Sequence, residues 1–398
     1  MGGVVKNSQK RSGTPEYTTV LTHPRLSLPE ILKMALKCGI VGLPNVGKST
    51  LFNCLSDAKA QSGNFPFCTI EPNLGVIAVP DDRLTALAEI VQPQNVLPTT
   101  VDIVDIAGLV KGASKGDGLG NQFLSTIRET DAILHVLRCF DNDNIIHVDG
   151  SVDPVRDKEV IDIELQLKDL ESVQGRLSKV KRAAGIGDKE AKKQCDLLLR
   201  IEETLEAGRS VRSMEFEEAE LPYLQELQMI TAKPVMYVCN VDEASVVKGN
   251  AYVESVRNLA DAEDAGLLII GAGIESDIAE LDEPEERLMF LEEMGLQEAG
   301  VAKLIREAYK LLKLQTYFTA GVKEVRAWTV KEGATAPEAA GVIHTDFEKG
   351  FIRAEVMKYD DFISYGSEQA VKEAGKLSVE GKAYVVADGD IMHFLFNV

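Results

Sequence analysis

The chain has 398 residues, 45% hydrophobic and 27% charged, with 43 basic against 63 acidic side chains and a formal net charge of −20. This length gives room for two or three domains with ordinary cores, and the acidic balance argues against an overall affinity for nucleic acid. The six cysteines form no C-x-x-C pair and, with the five histidines, show no zinc-ligand spacing, so buried free thiols in a reducing, cytoplasmic compartment are expected; no signal sequence or run of about eighteen apolar residues points to a membrane.

In chain order, residues 1–33 are rich in Ser, Thr, Pro and Lys and read as a flexible extension. The apolar run Cys38-Gly39-Ile40-Val41 then leads into Gly42-Leu43-Pro44-Asn45-Val46-Gly47-Lys48-Ser49-Thr50, which fits G-x-x-x-x-G-K-[ST] between a strand and a helix. The candidate nucleotide contacts are Asn45, Val46, Gly47, Lys48, Ser49 and Thr50. Lys48 can reach the β and γ oxygens of a triphosphate, and the Ser49 hydroxyl can ligate Mg²⁺ at the helix N-terminus.

The proline-broken segment Asn64-Phe65-Pro66-Phe67-Cys68-Thr69-Ile70-Glu71-Pro72 reads as a first switch, a mobile loop with Thr69 as second Mg²⁺ ligand. The alternative is a surface loop whose Phe65 and Phe67 merely pack. Thr100 to Ile106 has the pattern of a buried strand ending in Asp105-Ile106-Ala107-Gly108, a D-x-x-G motif. Asp105 is the candidate metal-supporting carboxylate and Gly108 the amide that senses a γ-phosphate. Leu109 stands where Ras-like enzymes carry the glutamine that orients water, so the isolated protein is expected to hydrolyse slowly. Gly112, Gly116, Gly118 and Gly120 make this second switch flexible, which fits a conformational switch better than a metabolic enzyme.

Residues 153–233 read as helical throughout. Val160, Ile163, Leu167, Leu170, Val173, Leu177 and Val180 follow three-four spacing and predict one apolar seam. Ala184-Gly185-Ile186-Gly187-Asp188 breaks the helix, and Ala191, Cys195, Leu198 and Leu205 return along the seam, giving an antiparallel helical hairpin. Arg176, Lys179, Lys181, Arg182, Lys189, Lys192 and Lys193 against only Asp188 and Glu190 make its tip basic. The strand Val235-Met236-Tyr237-Val238-Cys239 precedes Asn240-Val241-Asp242-Glu243, where guanine readers carry Asn-Lys-x-Asp. A longer carboxylate at Glu243 cannot keep the bidentate guanine geometry, so ATP is favoured over GTP. Asn240 can bond a purine edge and Val241 can cover the ring; the alternative for Asn240 is a tie between two loops. After Leu267 to Ile270, a backbone amide in Gly271-Ala272-Gly273 can meet the base, Gly273 being the candidate.

From about Leu314 the pattern changes to a strand at Glu324 to Val330, a helix at Ala336 to Thr345, and strands at Phe351–Val356, Lys382–Val386 and Ile391–Phe396. This roughly 85-residue unit has the size of a small domain and no catalytic cluster; Trp328 reads as core rather than a stacking platform.

The stretches Gly42–Thr50, Asn64–Pro72, Asp105–Gly120 and above all Asn240–Glu243 resemble the Obg-like ATPase family known as YchF in bacteria, over essentially Met34 to Val398. The resemblance implies an α/β P-loop G domain in two parts (34–152 and 234–313), an inserted coiled-coil hairpin (153–233), and a C-terminal ubiquitin-like, β-grasp TGS domain (314–398). It further implies ATP hydrolysis with Mg²⁺ and association with the ribosome. It also points to His147 as a candidate for handling the hydrolytic water, and to a K⁺ requirement through Asn45. On that reading the basic tip and the TGS domain meet ribosomal RNA, DNA is not a partner, and a monomer is expected; the tip reads equally well as an ordinary solvated helix surface. The competing functions are an Obg-like GTPase or promiscuous nucleoside triphosphatase, and a nucleotide-gated ribosome-binding protein whose hydrolysis is incidental.

Overall fold

The computed structural model describes residues 36–61, 70–71, 74–106, 112, 119–281 and 283–397. Strand β1 (Lys37–Val41) runs into helix α1 (Lys48–Gln61); β2 (Ile70–Glu71) and β3 (Leu74–Ala78) form a hairpin; α2 (Asp82–Val91) and β4 (Asn95–Leu97) follow. The chain continues through β5 (Thr100–Asp105), α3 (Leu119–Arg128), β6 (Ala132–Arg138), α4 (Pro154–Gly185), α5 (Lys189–Glu206) and α6 (Leu221–Leu227). Next come β7 (Val235–Asn240), α7 (Ala251–Ala262), β8 (Gly266–Ile270), α8 (Ala272–Glu280), α9 (Pro284–Glu293) and α10 (Gly300–Leu311).

These strands build a seven-stranded sheet in the order β2-β3-β5-β1-β6-β7-β8. It is parallel from β5 to β8, and β3 joins β5 antiparallel. Every residue of β6 and β7 is buried, as expected where a parallel sheet is covered on both faces and its strands lose the in-out alternation. The architecture is an α/β fold of P-loop type. Among the described residues no helix is long and apolar enough to cross a membrane, and Cys38, Cys54, Cys139, Cys195 and Cys239 are buried thiols outside any disulfide; Cys68 lies outside the described residues.

Helix α4 departs from the single expected seam. Ile161 and Leu165 pack into the core of the sheet, whereas Val173 and Leu177 pack against Cys195, Leu198, Ile201 and Leu205 of α5. Ile163 and Leu167 are 52% and 37% exposed, because the helix changes partner midway and its buried stripe shifts with it. At the changeover buried Asp169 accepts hydrogen bonds from the backbone of Ile230 and Thr231 at 3.0 and 2.7 Å and from the Thr231 hydroxyl at 2.7 Å. Asp188 caps α5 through the amides of Glu190 and Ala191. Residues 207–233 are not helical throughout: α5 ends at Glu206, and two residues on Gly208 lies in the left-handed region at φ +70°, where glycine is the least strained residue. Short 3-10 turns and α6 follow. At the far end, Arg176 pairs with Glu226 and Lys193 with Glu190. Lys179, Lys181, Arg182, Lys189 and Lys192 stay exposed with no ion pair among the described residues.

The last segment folds as β9 (Leu314–Ala320), β10 (Glu324–Lys331), α11 (Ala336–Ile343), α12 (Thr345–Lys349), β11 (Phe351–Met357), α13 (Tyr359–Tyr365), α14 (Glu368–Glu373), β12 (Ser378–Glu380) and β13 (Ile391–Phe396). The second sheet has the order β12-β11-β13-β9-β10-β4. Residues 382–386 are not a strand; they contribute one bridge, Thr335 to Val385. The edge strand β4 comes from far upstream and pairs parallel with β10. Leu84 and Leu87 of the preceding α2 sink into a cluster with Phe318, Val325, Met357 and Phe362, and Arg83 bridges Asp81 and Asp388 at 2.8 and 2.7 Å. Residues 81–97, counted by sequence within the first part of the G domain, thus pack against the last one. Trp328 is buried beside Tyr317, rings stacked with centroids 6.4 Å apart.

One buried group in the first sheet is not stabilising. Asp102, in the middle of β5, has two carboxylate oxygens with no hydrogen-bond partner among the described residues, and burial pushes its pKa up to about 6 against the pull of Lys37. A carboxyl raised in the native state and normal in the unfolded chain penalises folding above pH 6, progressively less as the pH falls toward 4, and not at all below. Asp102→Asn is therefore expected to stabilise the protein at pH 7.5 by about 1–2 kcal/mol, with the gain vanishing near pH 4, as followed by urea unfolding at both pH values.

Candidate functional site

The buried parallel strand β1 delivers the chain to the loop 42–47 at the sheet's carboxyl edge, and α1 begins at Lys48. Asn45 and Gly47 have positive φ angles of 62° and 101°. At Gly47 a Cβ would lie 2.2 Å from Asn240 Nδ2, so glycine is required there both for backbone conformation and for space. Lys48 is buried, and its ammonium donates to the Leu43 carbonyl at 2.7 Å. Burial lowers its pKa to about 8, with Asp105 opposing the shift. Ser49 and Thr50 are exposed in the first turn of α1.

Asp105 ends β5 facing this lysine. Its Oδ1 is buried without a hydrogen-bond partner among the described residues, and burial raises its pKa while Lys48 pulls it down. An orphaned carboxylate oxygen and an exposed hydroxyl at a helix N-terminus fit the donor set of a hard divalent cation. The remaining candidates on the phosphate side, Thr69 and Gly108, and with them Leu109, lie outside the described residues. Of the segment expected to form the first switch, Ile70 and Glu71 form β2, paired with Gly75 and Leu74.

On the base side, Asn240 is 4% exposed. Its Nδ2 donates to the Val46 carbonyl at 2.9 Å, and its Oδ1 accepts from the Ala272 amide at 2.9 Å. It therefore ties the phosphate loop to the start of α8, and any contact with a base is made with what remains of its amide. Val241 is 3% exposed and part of the core, so it offers little surface. Asp242 caps a short 3-10 turn by accepting from the Ser245 amide at 3.0 Å, and Glu243 is exposed. Gly273 lies in the first turn of α8 rather than in a loop, with open space beside its Cα.

Sequence reasoning missed the organiser of the loop after β6. The Arg138 guanidinium, buried, donates to the carbonyls of Phe140, Asn142 and Ile145 at 3.1, 3.1 and 2.9 Å. This brings the Ile146 carbonyl to Asn45 Nδ2 at 3.1 Å. A buried arginine ending an apolar strand before an Asn/Asp-rich loop is the signal that was available. The loop also carries His147, and both its ring nitrogens are engaged: Nε2 with Asp157 at 2.8 Å, and Nδ1 accepting from the Asp149 amide at 3.1 Å. Arg156 holds the other oxygen of Asp157 at 2.8 Å. In this arrangement His147 has no free nitrogen to offer a water.

With its pKa lowered to about 8, Lys48 is cationic at pH 7 and mostly neutral at pH 9. Bound phosphate raises that pKa again, so binding above pH 8 must take up a proton and weaken as the pH rises. Calorimetry of ADP binding at pH 9 in buffers of different ionisation enthalpy is expected to show uptake approaching one proton, falling to near zero at pH 7.

The geometry agrees with the comparisons. The profile of the 50S ribosome-binding GTPase family matches residues 37–176, and the YchF-GTPase C-terminal family, described as "Protein of unknown function", matches residues 314–397. The ribosome-binding ATPase YchF of Haemophilus ducreyi is 57% identical over 365 residues, 92% of this chain and 100% of that one. That of Bacillus subtilis is 53% identical over 367 residues with the same coverage. The solved structure of the Schizosaccharomyces pombe YchF GTPase superposes with a TM-score of 0.81 at 38% identity, covering 90% of this chain and 97% of that one. With a phosphate loop, a carboxylate facing its lysine, and this likeness along the whole of its relatives' length, the chain belongs to the YchF family.

Proposed function

We propose that the protein is a ribosome-associated, Mg²⁺-dependent ATPase that works as a slow conformational switch in translation or stress regulation. The identity to relatives named ribosome-binding ATPase supports the class of activity. The choice of ATP over GTP rests on one observation: in Asn240-Val241-Asp242-Glu243 the Asp242 carboxylate is taken by Ser245, and the only other carboxylate, on exposed Glu243, is one methylene longer than the residue that reads guanine.

Ser49, Thr69 and Asp105 are the residues that would hold Mg²⁺, which supplies neutralisation of charge on the β- and γ-phosphates. Lys48 leaves the Leu43 carbonyl for the phosphate oxygens, and the amides from Asn45 to Thr50 cradle the chain of phosphates. Gly108 reports the γ-phosphate. The residual capacity of Asn240, the edge of Val241 and the open space at Gly273 receive the adenine. Asn45, already bonded to Ile146, has its amide oxygen for K⁺. For His147 to direct water it must first leave Asp157. The arm formed by α4 and α5 is read as a coiled coil, and the last 85 or so residues as a TGS module, a size typical of a small domain; both are assigned to ribosome contact, and the five cations of the tip that have no ion pair among the described residues to RNA phosphates.

Calorimetry with ATP and GTP in Mg²⁺ and K⁺ tests the base preference: ATP is expected to bind at least tenfold more tightly, about the scale of one mismatched polar contact, and equal or tighter GTP binding would return the protein to the GTPases. Replacing Lys179, Lys181, Arg182, Lys189 and Lys192 by glutamate is expected to abolish co-sedimentation with ribosomes at 0.1 M salt while ATP affinity stays unchanged; retained co-sedimentation removes the tip from the interface.

A further inference from the structure

Val180 and Ala184 are the last residues of α4 packed on the apolar cluster it shares with α5. Two residues beyond them Ile186 is 85% exposed, more than any other large apolar side chain among the described residues. The turn that carries it is closed. The Gly187 amide donates to the Ala184 carbonyl at 3.2 Å and the Asp188 amide to the Ala183 carbonyl at 3.3 Å, Gly187 takes φ +96°, and Asp188 then caps α5. Helices commonly end on a left-handed glycine with this pair of bonds, so the backbone at Ile186 is fixed rather than loose. The same end of the hairpin carries Lys179, Lys181, Arg182, Lys189 and Lys192, exposed and without an ion pair among the described residues; Arg182 and Lys189 stand within four residues of Ile186 on either side.

We propose that Ile186 is an apolar anchor that packs against an unpaired or unstacked base of ribosomal RNA while the cations beside it hold the flanking phosphates. The inference rests on the reading of the tip as a ribosome contact given above. Phosphates attract all five cations alike but gain nothing from an aliphatic side chain, which is stabilised only by leaving water. A paired A-form duplex offers no surface for that: its major groove is deep and narrow, its minor groove presents 2′-hydroxyls, and its base faces are covered by stacking. A hairpin of two helices, about 20 Å across, is also too wide to enter that major groove. Bases in loops and bulges expose their faces, and apolar wedges enter where a base step opens. A lipid surface is the weaker match, because a whole myristoyl chain gives only marginal membrane binding and a single isoleucine supplies far less. Charge thus gives the tip its affinity for RNA, and the isoleucine its choice of an open site over a duplex.

The test measures co-sedimentation of the full-length protein with purified ribosomes over a series of salt concentrations. Ile186→Ser should lower the affinity about tenfold at every salt concentration, the scale of burying one isoleucine side chain, and leave the slope of log K against log salt unchanged. Lys181→Gln should instead reduce that slope by about one, and Ile186→Leu, which keeps the apolar volume, should bind within about twofold of the wild type. Folding is checked by ADP binding, and Ile186→Ala decides should the serine variant fail it. Ile186→Cys carrying a photoreactive label, with identically treated wild type as control, should cross-link to ribosomal RNA at a nucleotide outside base pairs. A folded serine or alanine variant that binds like the wild type overturns the proposal. So does a label that attaches only to ribosomal protein, only within continuous duplex, or to nothing, and so does wild-type binding to phosphatidylserine vesicles that Ile186→Ser loses. Ribosome binding that survives reversal of the five charges brings down the tip reading itself, whereas binding lost on charge reversal but kept by Ile186→Ser brings down the isoleucine alone.

Discussion

The side-chain amide of Asn240 joins three pieces of chain that are far apart in sequence. From the end of β7 it gives a hydrogen to Val46 in the phosphate loop and takes one from Ala272 at the start of α8, while its own backbone carbonyl accepts from Cys139 at the end of β6. Gly47 is packed directly against it. A buried group that loses such a partner costs about 1–3 kcal/mol for each donor or acceptor left unpaired. The shape of the phosphate loop is therefore set as much by a residue nearly two hundred positions downstream as by its own glycines.

That dependence explains what could be read from the sequence. The phosphate loop, Asp105 and the run from Asn240 to Glu243 were legible because each is a short contiguous motif at the end of an apolar strand, and β6 and β7 are buried at every position. What could not be read depends on partners distant in sequence. Nothing local says that α4 packs first on the sheet and then on α5, so the seam through Ile163 and Leu167 looked as good as the one through Ile161 and Leu165. The stretch 382–386 has strand composition, but it opens in a turn, the Tyr384 amide bonding back to the Gly381 carbonyl, and it pairs through the single bridge between Thr335 and Val385. His147 reads as an open loop histidine until Asp157 and Arg156, supplied by the next helix, are seen to enclose it.

The seat of the arm on the sheet is polar as well as apolar. Beneath α4, Lys158 bridges to Asp162 at 2.8 Å and to Glu263, and the Tyr237 hydroxyl donates to Glu263 at 2.6 Å. His135 lies beside them, its pKa driven down to about 3 by burial and by the nearby cations Lys158 and Arg212, so it is neutral there. Apolar contact tolerates sliding, whereas hydrogen bonds weaken steeply with misalignment. A seat of this composition fixes how the first half of α4 lies on the sheet, while the second half is held by apolar packing on α5.

The pairing of β4 with β10 has a consequence during synthesis. Residues 95–97 leave the ribosome more than two hundred residues before residues 324–331, a delay on the order of ten to forty-five seconds at ordinary elongation rates. Throughout that interval the strand, together with the apolar face of α2, waits without its partners. Its three-residue length and the prolines at positions 93 and 98 make it a poor template for other strands. The nascent protein thus carries an unpaired edge too short to recruit a stranger, yet long enough to be recognised by the last sheet when that sheet arrives.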